Sequence, residues 1–383
     1  MKTIFHINLI LIVSFLASCS KPSLAPSDST KLSPVYTEGI NYKRQNFIGI
    51  DLQPPYLQID DESLKGHSTT TPCLIGDQLF ITTRNGYLCQ VDVLTLDETA
   101  DKKISDGIQA SPTFAHPFIL IASEADHAGL SAYDITSGKI IWKTVKHHST
   151  SSPVSAMDMV FHACYDGVIQ AYNLLEGELI WEFDTGSKIA GSLIYDRSQL
   201  TALTQTGDIY KLDGSSGTVI WKKSTGNTFL SSPLLTNNGT LTITSYEGNL
   251  LFINDRTGVV IGQKVFDSPV YMPPSADDSL VYISVSNSKV TAITPENQGI
   301  KWETVLKGPA SCPALVTNNH IIIGTTRNRL YLIDKNNGSI TQEFILEGRL
   351  SSIPVVYNNR LIFGMEYAKI SALIPKKDAG NEF

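Results

Sequence analysis

Residues Ser131-Ala132-Tyr133-Asp134-Ile135-Thr136-Ser137-Gly138-Lys139-Ile140-Ile141-Trp142, with Ser151-Ser152-Pro153 a short way on, decide how this chain is read. Tyr133 and its neighbours form one run that suits a strand. Asp134 to Gly138 supplies the turn, because Asp, Ser and Gly tolerate the backbone angles a tight reversal needs. Ile140, Ile141 and Trp142 open the next run, rich in the β-branched and aromatic residues that favour strands. One such phrase is only a hairpin. Its return at a fixed period specifies a fold.

Proline marks that period. Pro72, Pro112, Pro153, Pro233, Pro273, Pro313 and Pro354, with Leu193 in the one gap, stand 40 or 41 residues apart. A serine often precedes, as at Ser111, Ser152, Ser192 and Ser232. After each mark come short apolar runs, such as Phe118-Ile119-Leu120-Ile121-Ala122 and His320-Ile321-Ile322-Ile323. A glycine turn usually leads to a third run, as at Asn85-Gly86 and Glu247-Gly248. The fourth run repeats the opening phrase at Gly177-Glu-Leu-Ile-Trp181 and Gly217-Thr-Val-Ile-Trp221, and in weaker form at Gly258, Gly299 and Gly338. Leu94 to Lys103 is a degenerate copy. Four short strands in about 40 residues is the period of a propeller blade. Eight starts predict an all-β, eight-bladed propeller. The four Trp read as wedges packed between blades, since packing is the common use of a periodic aromatic.

The last unit, from Pro354, supplies three strands and stops near Ile374-Pro375. Counting back from Pro72 by the 11 residues that separate Trp142 from Pro153 reaches the run Tyr56-Leu57-Gln58-Ile59-Asp60. That N-terminal strand is expected to complete the last blade, which closes the ring and removes its exposed edge.

Ahead of the repeat, Lys2 and the mostly apolar Ile4 to Phe15 read as a signal segment, too short for a comfortable membrane span. Leu16-Ala17-Ser18-Cys19 then resembles the lipobox of bacterial lipoproteins, in which cleavage precedes an acylated cysteine. The domain reading is therefore a signal peptide over 1–18, a lipidated Cys19 with a Ser/Pro-rich tether over 19–40, and a propeller over 41–383. Ser20 after the cysteine resembles the sorting pattern for the outer membrane, facing the periplasm. The formal net charge of −7 disfavours nucleic acid as a partner.

The phrase at Ala132 to Trp142 followed by Ser152-Pro153 resembles the repeat of PQQ-type, quinoprotein-like β-propellers. That family spans quinoprotein alcohol dehydrogenases and BamB-like lipoproteins of outer-membrane assembly. The resemblance covers about residues 56–380. WD40 repeats fit poorly, because Trp142, Trp181, Trp221 and Trp302 are followed by Lys, Glu, Lys and Glu.

Resemblance to the dehydrogenases implies adjacent cysteines beside a quinone and a calcium site. No two of the five cysteines here are adjacent, and no C-x-x-C-H haem motif is present. The reading is a non-enzyme with no catalytic, cofactor or metal residues, Cys19 being its one assigned site. It is a membrane-anchored scaffold for a protein partner in the cell envelope. The resemblance names the barrel-assembly machinery as that partner. The alternatives are a PQQ-dependent dehydrogenase and a propeller holding a small ligand or polymer.

Loops on one propeller face usually carry the interaction surface. Candidates are His147-His148-Ser149-Thr150 and Glu124-Ala125-Asp126-His127. Adjacent His147 and His148 point to opposite faces of an extended chain, which suits joint ligation poorly. His67, His116, His127, His162 and His320 lack ligand spacing. Cys73, Cys89, Cys164 and Cys312 read as small buried hydrophobes.

Overall fold

The opening phrase forms two antiparallel strands, Leu130–Asp134 and Lys139–Lys143, with Tyr133 opposite Ile140. The structure, a computed structural model, describes residues 37–377 apart from 60, 61, 69, 125–128 and 146. Among these residues there is no helix. The chain is an eight-bladed β-propeller. Seven blades are consecutive four-stranded antiparallel sheets, spanning residues 73–103, 113–143, 154–184, 194–224, 234–265, 275–305 and 315–345.

Blade 8 takes its first three strands from residues 355–375 and its edge from the N-terminal side. Tyr56–Gln58 pairs antiparallel with Lys369–Pro375, Tyr56 opposite Pro375 and Gln58 opposite Leu373. Glu62–Ser63 continues along the same strand. The closure expected from the spacing is therefore present. Blade 7 helps to hold it. The Tyr56 amide donates to Gln342 Oε1 at 2.9 Å, and Gln342 Nε2 donates back to the Tyr56 carbonyl at 2.6 Å.

The apolar material sits between blades. Phe80 and Leu88 of blade 1 pack with Ile119, Ile121 and Tyr133 of blade 2. Outer strands obey a different pattern from inner ones. In blades 1 to 7 each carries a β-bulge, at Thr99, Ile141, Ile180, Ile220, Ile261, Lys301 and Thr341. The extra residue breaks the in–out alternation. Leu179 and Ile180 are consequently both about half exposed, while Trp181 turns inward.

Each Trp spans a blade junction. The indole Nε1 of Trp142, Trp181, Trp221 and Trp302 donates to the carbonyls of Leu174, Gly214, Asp255 and Lys335, at 2.8 to 3.0 Å. Each ring lies flat on the turn glycine of the next blade: Gly177, Gly217, Gly258 and Gly338. At those positions φ is +70° to +75°, and a Cβ would fall 2.5 to 2.9 Å from the ring. The glycine of the repeated phrase is thus fixed twice, by backbone angle and by the Trp of the preceding blade.

The period serine also crosses junctions. The amides of Thr71, Ser111, Ser152 and Ser192 donate to Oγ of Ser111, Ser152, Ser192 and Ser232, one blade on, at 2.8 to 3.0 Å. Ser151, Ser311 and Ser351 donate instead to the carbonyls of Gly191, Leu350 and Ser68 in the blade that follows.

Inside this ring of serines runs the N-terminal segment. The amides of Tyr195, Leu235, Ala276 and Val316, in the inner strands of blades 4 to 7, donate in turn to the carbonyls of Tyr42, Lys43, Gln45 and Asn46. Thr37 Oγ1 lies 3.0 Å from Thr113 Oγ1 of blade 2. Residues 37–40, read from composition as the end of the tether, lie in the axial channel, where Thr37 and Ile40 are buried. Side-chain bonds of Thr37 to Thr113 and of Glu38 to Ser192, with Arg44 donating to the Glu38 carbonyl, hold them there, and composition carries no mark of it.

Candidate functional site

Antiparallel strands put two sets of connections on one face. These are the loops joining each outer strand to the next blade, and the turns between second and third strands. His147-His148-Ser149-Thr150 belongs to the loop from blade 2 to blade 3, and Glu124 to a turn of blade 2. The structure brings these two stretches together. Glu124, His148, Ser149 and Thr150, with Gln109 and Tyr165, line a cavity of about 320 Å³. Ala125, Asp126 and His127 lie outside the described residues.

His147 turns to Asp166 instead, with Nδ1 2.6 Å from Oδ2. The two histidines therefore do not act together, as their adjacency suggests. Gln109 Nε2 donates to Glu124 Oε2. Lys188 sets its ammonium 4.5 Å from the Tyr165 ring centroid and donates to the Tyr165 hydroxyl at 3.1 Å.

The axial channel opens on the same face. Its mouth is a cavity of about 120 Å³ lined by residues from around the ring, including Ser111, Ser152, Ser232 and Ser352. Its floor is the N-terminal segment, through Glu38, Gly39, Arg44 and Asn46. Arg44 is buried. Its Nε donates to the Leu193 carbonyl at 3.0 Å, and Nη1 donates to the Glu38 carbonyl at 2.5 Å. Glu38 Oε2 in turn accepts from Ser192 Oγ at 2.6 Å. A buried guanidinium is tolerable here because carbonyls satisfy it.

Below the blade 2–3 cavity lies a buried polar cluster that spacing alone did not reveal. His162, fully buried, shares its strand face with Val160, which packs against Ala110, Leu120 and Ala132 of blade 2. Its Nδ1 lies 3.6 Å from Cys164 Sγ, and its Nε2 has no partner among the described residues. Tyr172 donates to Gln170 Oε1 at 2.7 Å, and Gln170 Nε2 donates to Glu182. Burial pushes the His162 imidazole down to about 4, with the His147 charge a further cause, so it is neutral at pH 7. The same position is Ile81, Ile121, Ala202, Ile243, Ile283, Ile323 and Phe363 in the other blades. Setting the eight copies side by side would have singled it out.

The four described cysteines are free and buried, as their reading as small hydrophobes expects. Burial raises Cys73 and Cys312 to about 12, which leaves inert thiols. Cys19 lies outside the described residues. A quinone with its metal does not fit the axis, which holds the chain's own residues 37–48. The axial cavity of about 120 Å³ is small against ligand pockets of roughly 300 Å³ upward. Among the described residues, no three His, Cys, Asp or Glu side chains group to hold a metal ion.

Four-stranded blades, Trp-on-glycine junctions and the serine ladder define a PQQ-type β-propeller with a cleft on its loop face. More particularly, the chain belongs to the family described as outer membrane protein assembly factor BamB, whose model matches residues 92–304. BamB of Escherichia coli is 26% identical over 200 residues, covering 49% of this chain and 50% of that protein. The chain spans about half the length of the curated relatives it matches first. BamB from Moraxella catarrhalis shares the fold at a TM-score of 0.70 and 16% identity, over 83% of this chain and 99% of that one. Quinohemoprotein alcohol dehydrogenase from Comamonas testosteroni shares it at 0.75 and 13% identity, over 88% and 80%.

Proposed function

We propose that this chain is a non-catalytic scaffold of the BamB kind, which docks a protein partner of the barrel-assembly machinery on its loop face. Its N-terminus is a signal peptide over residues 1–18, and a lipid on Cys19 holds it to the outer membrane on the periplasmic side. The observation that carries the reading is the axial channel, where quinone chemistry would need space and a stretch of the protein's own backbone is bonded instead. Family membership points to the same role.

Affinity capture of the tagged protein from membranes tests it. The barrel insertase should be recovered, and its absence would sink the specific role. Tight stoichiometric uptake of PQQ with calcium in a separate titration would restore the dehydrogenase alternative. Radiolabelled palmitate should enter the wild-type protein and fail to enter Cys19→Ala.

A further inference from the structure

The two cavities of the loop face form one cleft, since Gln109 and Thr150 line both. It runs from the axis, at Arg44 and Ser352, outward between blades 2 and 3 to Glu124, His148 and Tyr165. At the inner end Ser352 is buried, and its hydroxyl has no partner among the described residues. Such a group gains from any ligand that brings a donor or acceptor. Along the middle, Gln109 and Thr150 offer polar groups of the kind that pair with a peptide backbone, while the buried Ser149 hydroxyl is taken up by the Ala163 carbonyl and the Ser151 amide. The outer end, about 320 Å³, reaches the size range of ligand pockets.

Charge selects the occupant. Glu124 stands on the outer wall, and among the described residues no lysine or arginine lines that cavity. The Tyr165 ring at the rim already carries one ammonium, that of Lys188. The whole chain carries −7. We propose that the cleft between blades 2 and 3 receives an extended peptide segment of the partner and seats one of its lysine or arginine side chains against Glu124. This rests on the reading that the loop face docks a protein.

The test is fluorescence anisotropy of the purified protein with two labelled ten-residue Ser/Val peptides, one with a central Arg-Lys pair and the other with Glu-Glu. The basic peptide should bind saturably and at least tenfold more tightly than the acidic one. Glu124→Gln should weaken it about tenfold, and Thr150→Trp should abolish it by filling the cleft. Both positions are at least partly exposed, and unchanged circular dichroism melting would show that the variants fold. Equal binding of the two peptides, binding of neither, or variants that bind like wild type would overturn the proposal. Insertase capture by Thr150→Trp separates the two readings. Loss of peptide and insertase together supports the cleft as the partner's seat. Loss of the peptide alone overturns that seat and leaves the scaffold role standing. Peptide binding by a wild-type protein that captures no insertase would fail the scaffold role while keeping the cleft as a basic-peptide site.

Discussion

Gly217→Ala separates the two reasons for the repeated glycine. Gly217 has φ of +71°, and an added Cβ would lie 2.6 Å from Cε3 and 2.7 Å from Cδ2 of Trp181. Gly226 has nearly the same angle, φ of +70°, with nothing within 4 Å of a Cβ. The left-handed backbone alone costs an L-residue about 1–2 kcal/mol, which is the whole expectation for Gly226→Ala. At Gly217 the indole must also move, straining its bond to the Gly214 carbonyl, now 3.0 Å long. That adds about 1–2 kcal/mol of lost hydrogen bond and packing, for a total of about 2–4 kcal/mol. Urea unfolding of the two single variants measures the difference. In a Trp181→Ala background the extra cost of Gly217→Ala should vanish, leaving the backbone term alone. Equal losses for Gly217→Ala and Gly226→Ala, in the presence of Trp181, would refute the wedge account of the blade junction.

Further expectations concern the buried polar groups. His162 has its folded value lowered to about 4, so its contribution is complete above the unfolded value near 6.5 and is lost as pH falls toward 4. His162→Ile should remove up to roughly 3 kcal/mol of that acid sensitivity, read as flatter stability between pH 6.5 and 4.5. Lys211, buried, makes a 2.6 Å ion pair with Asp255 across the blade 4–5 junction. Lys211→Met should cost about 3–5 kcal/mol in chemical denaturation, because it strands a buried carboxylate. Gln342→Ala should free both backbone groups of Tyr56 and cost about 1–3 kcal/mol. The amides of residues 56–58 should then exchange hydrogen faster, with blades 2 to 5 unaffected.

The ring was legible because its signals repeat. Pro72 to Pro354 gave eight starts, and the Trp142-to-Pro153 spacing led to the closing strand at Tyr56. The Trp residues pack as their period suggested, yet their glycine partners one blade on are visible only in space. Outer strands read as Leu-Ile-Trp or Val-Ile-Trp without alternation because a bulge precedes the Trp. The place of residues 37–40 is not legible, since the segment that follows them is tied to the blades through the carbonyls of Tyr42, Lys43, Gln45 and Asn46, which any sequence could supply, and the partners of Thr37 and Glu38 lie in distant blades. The candidate surface was half legible. His148 and Glu124 read as loop residues from sequence, and the fold brings them to one cavity. His162 lacks ligand spacing, and its oddity lies instead in standing where seven blades place Ile, Ala or Phe.

The central claim is that this propeller holds a partner on its loop face and turns over no substrate. Its most direct test is capture of the barrel insertase from membranes by the tagged protein, in parallel with capture by the Thr150→Trp variant. The account predicts recovery with the wild type and a clear reduction with the variant. A folded wild-type protein that recovers no insertase component, while taking up PQQ and calcium stoichiometrically, would contradict it.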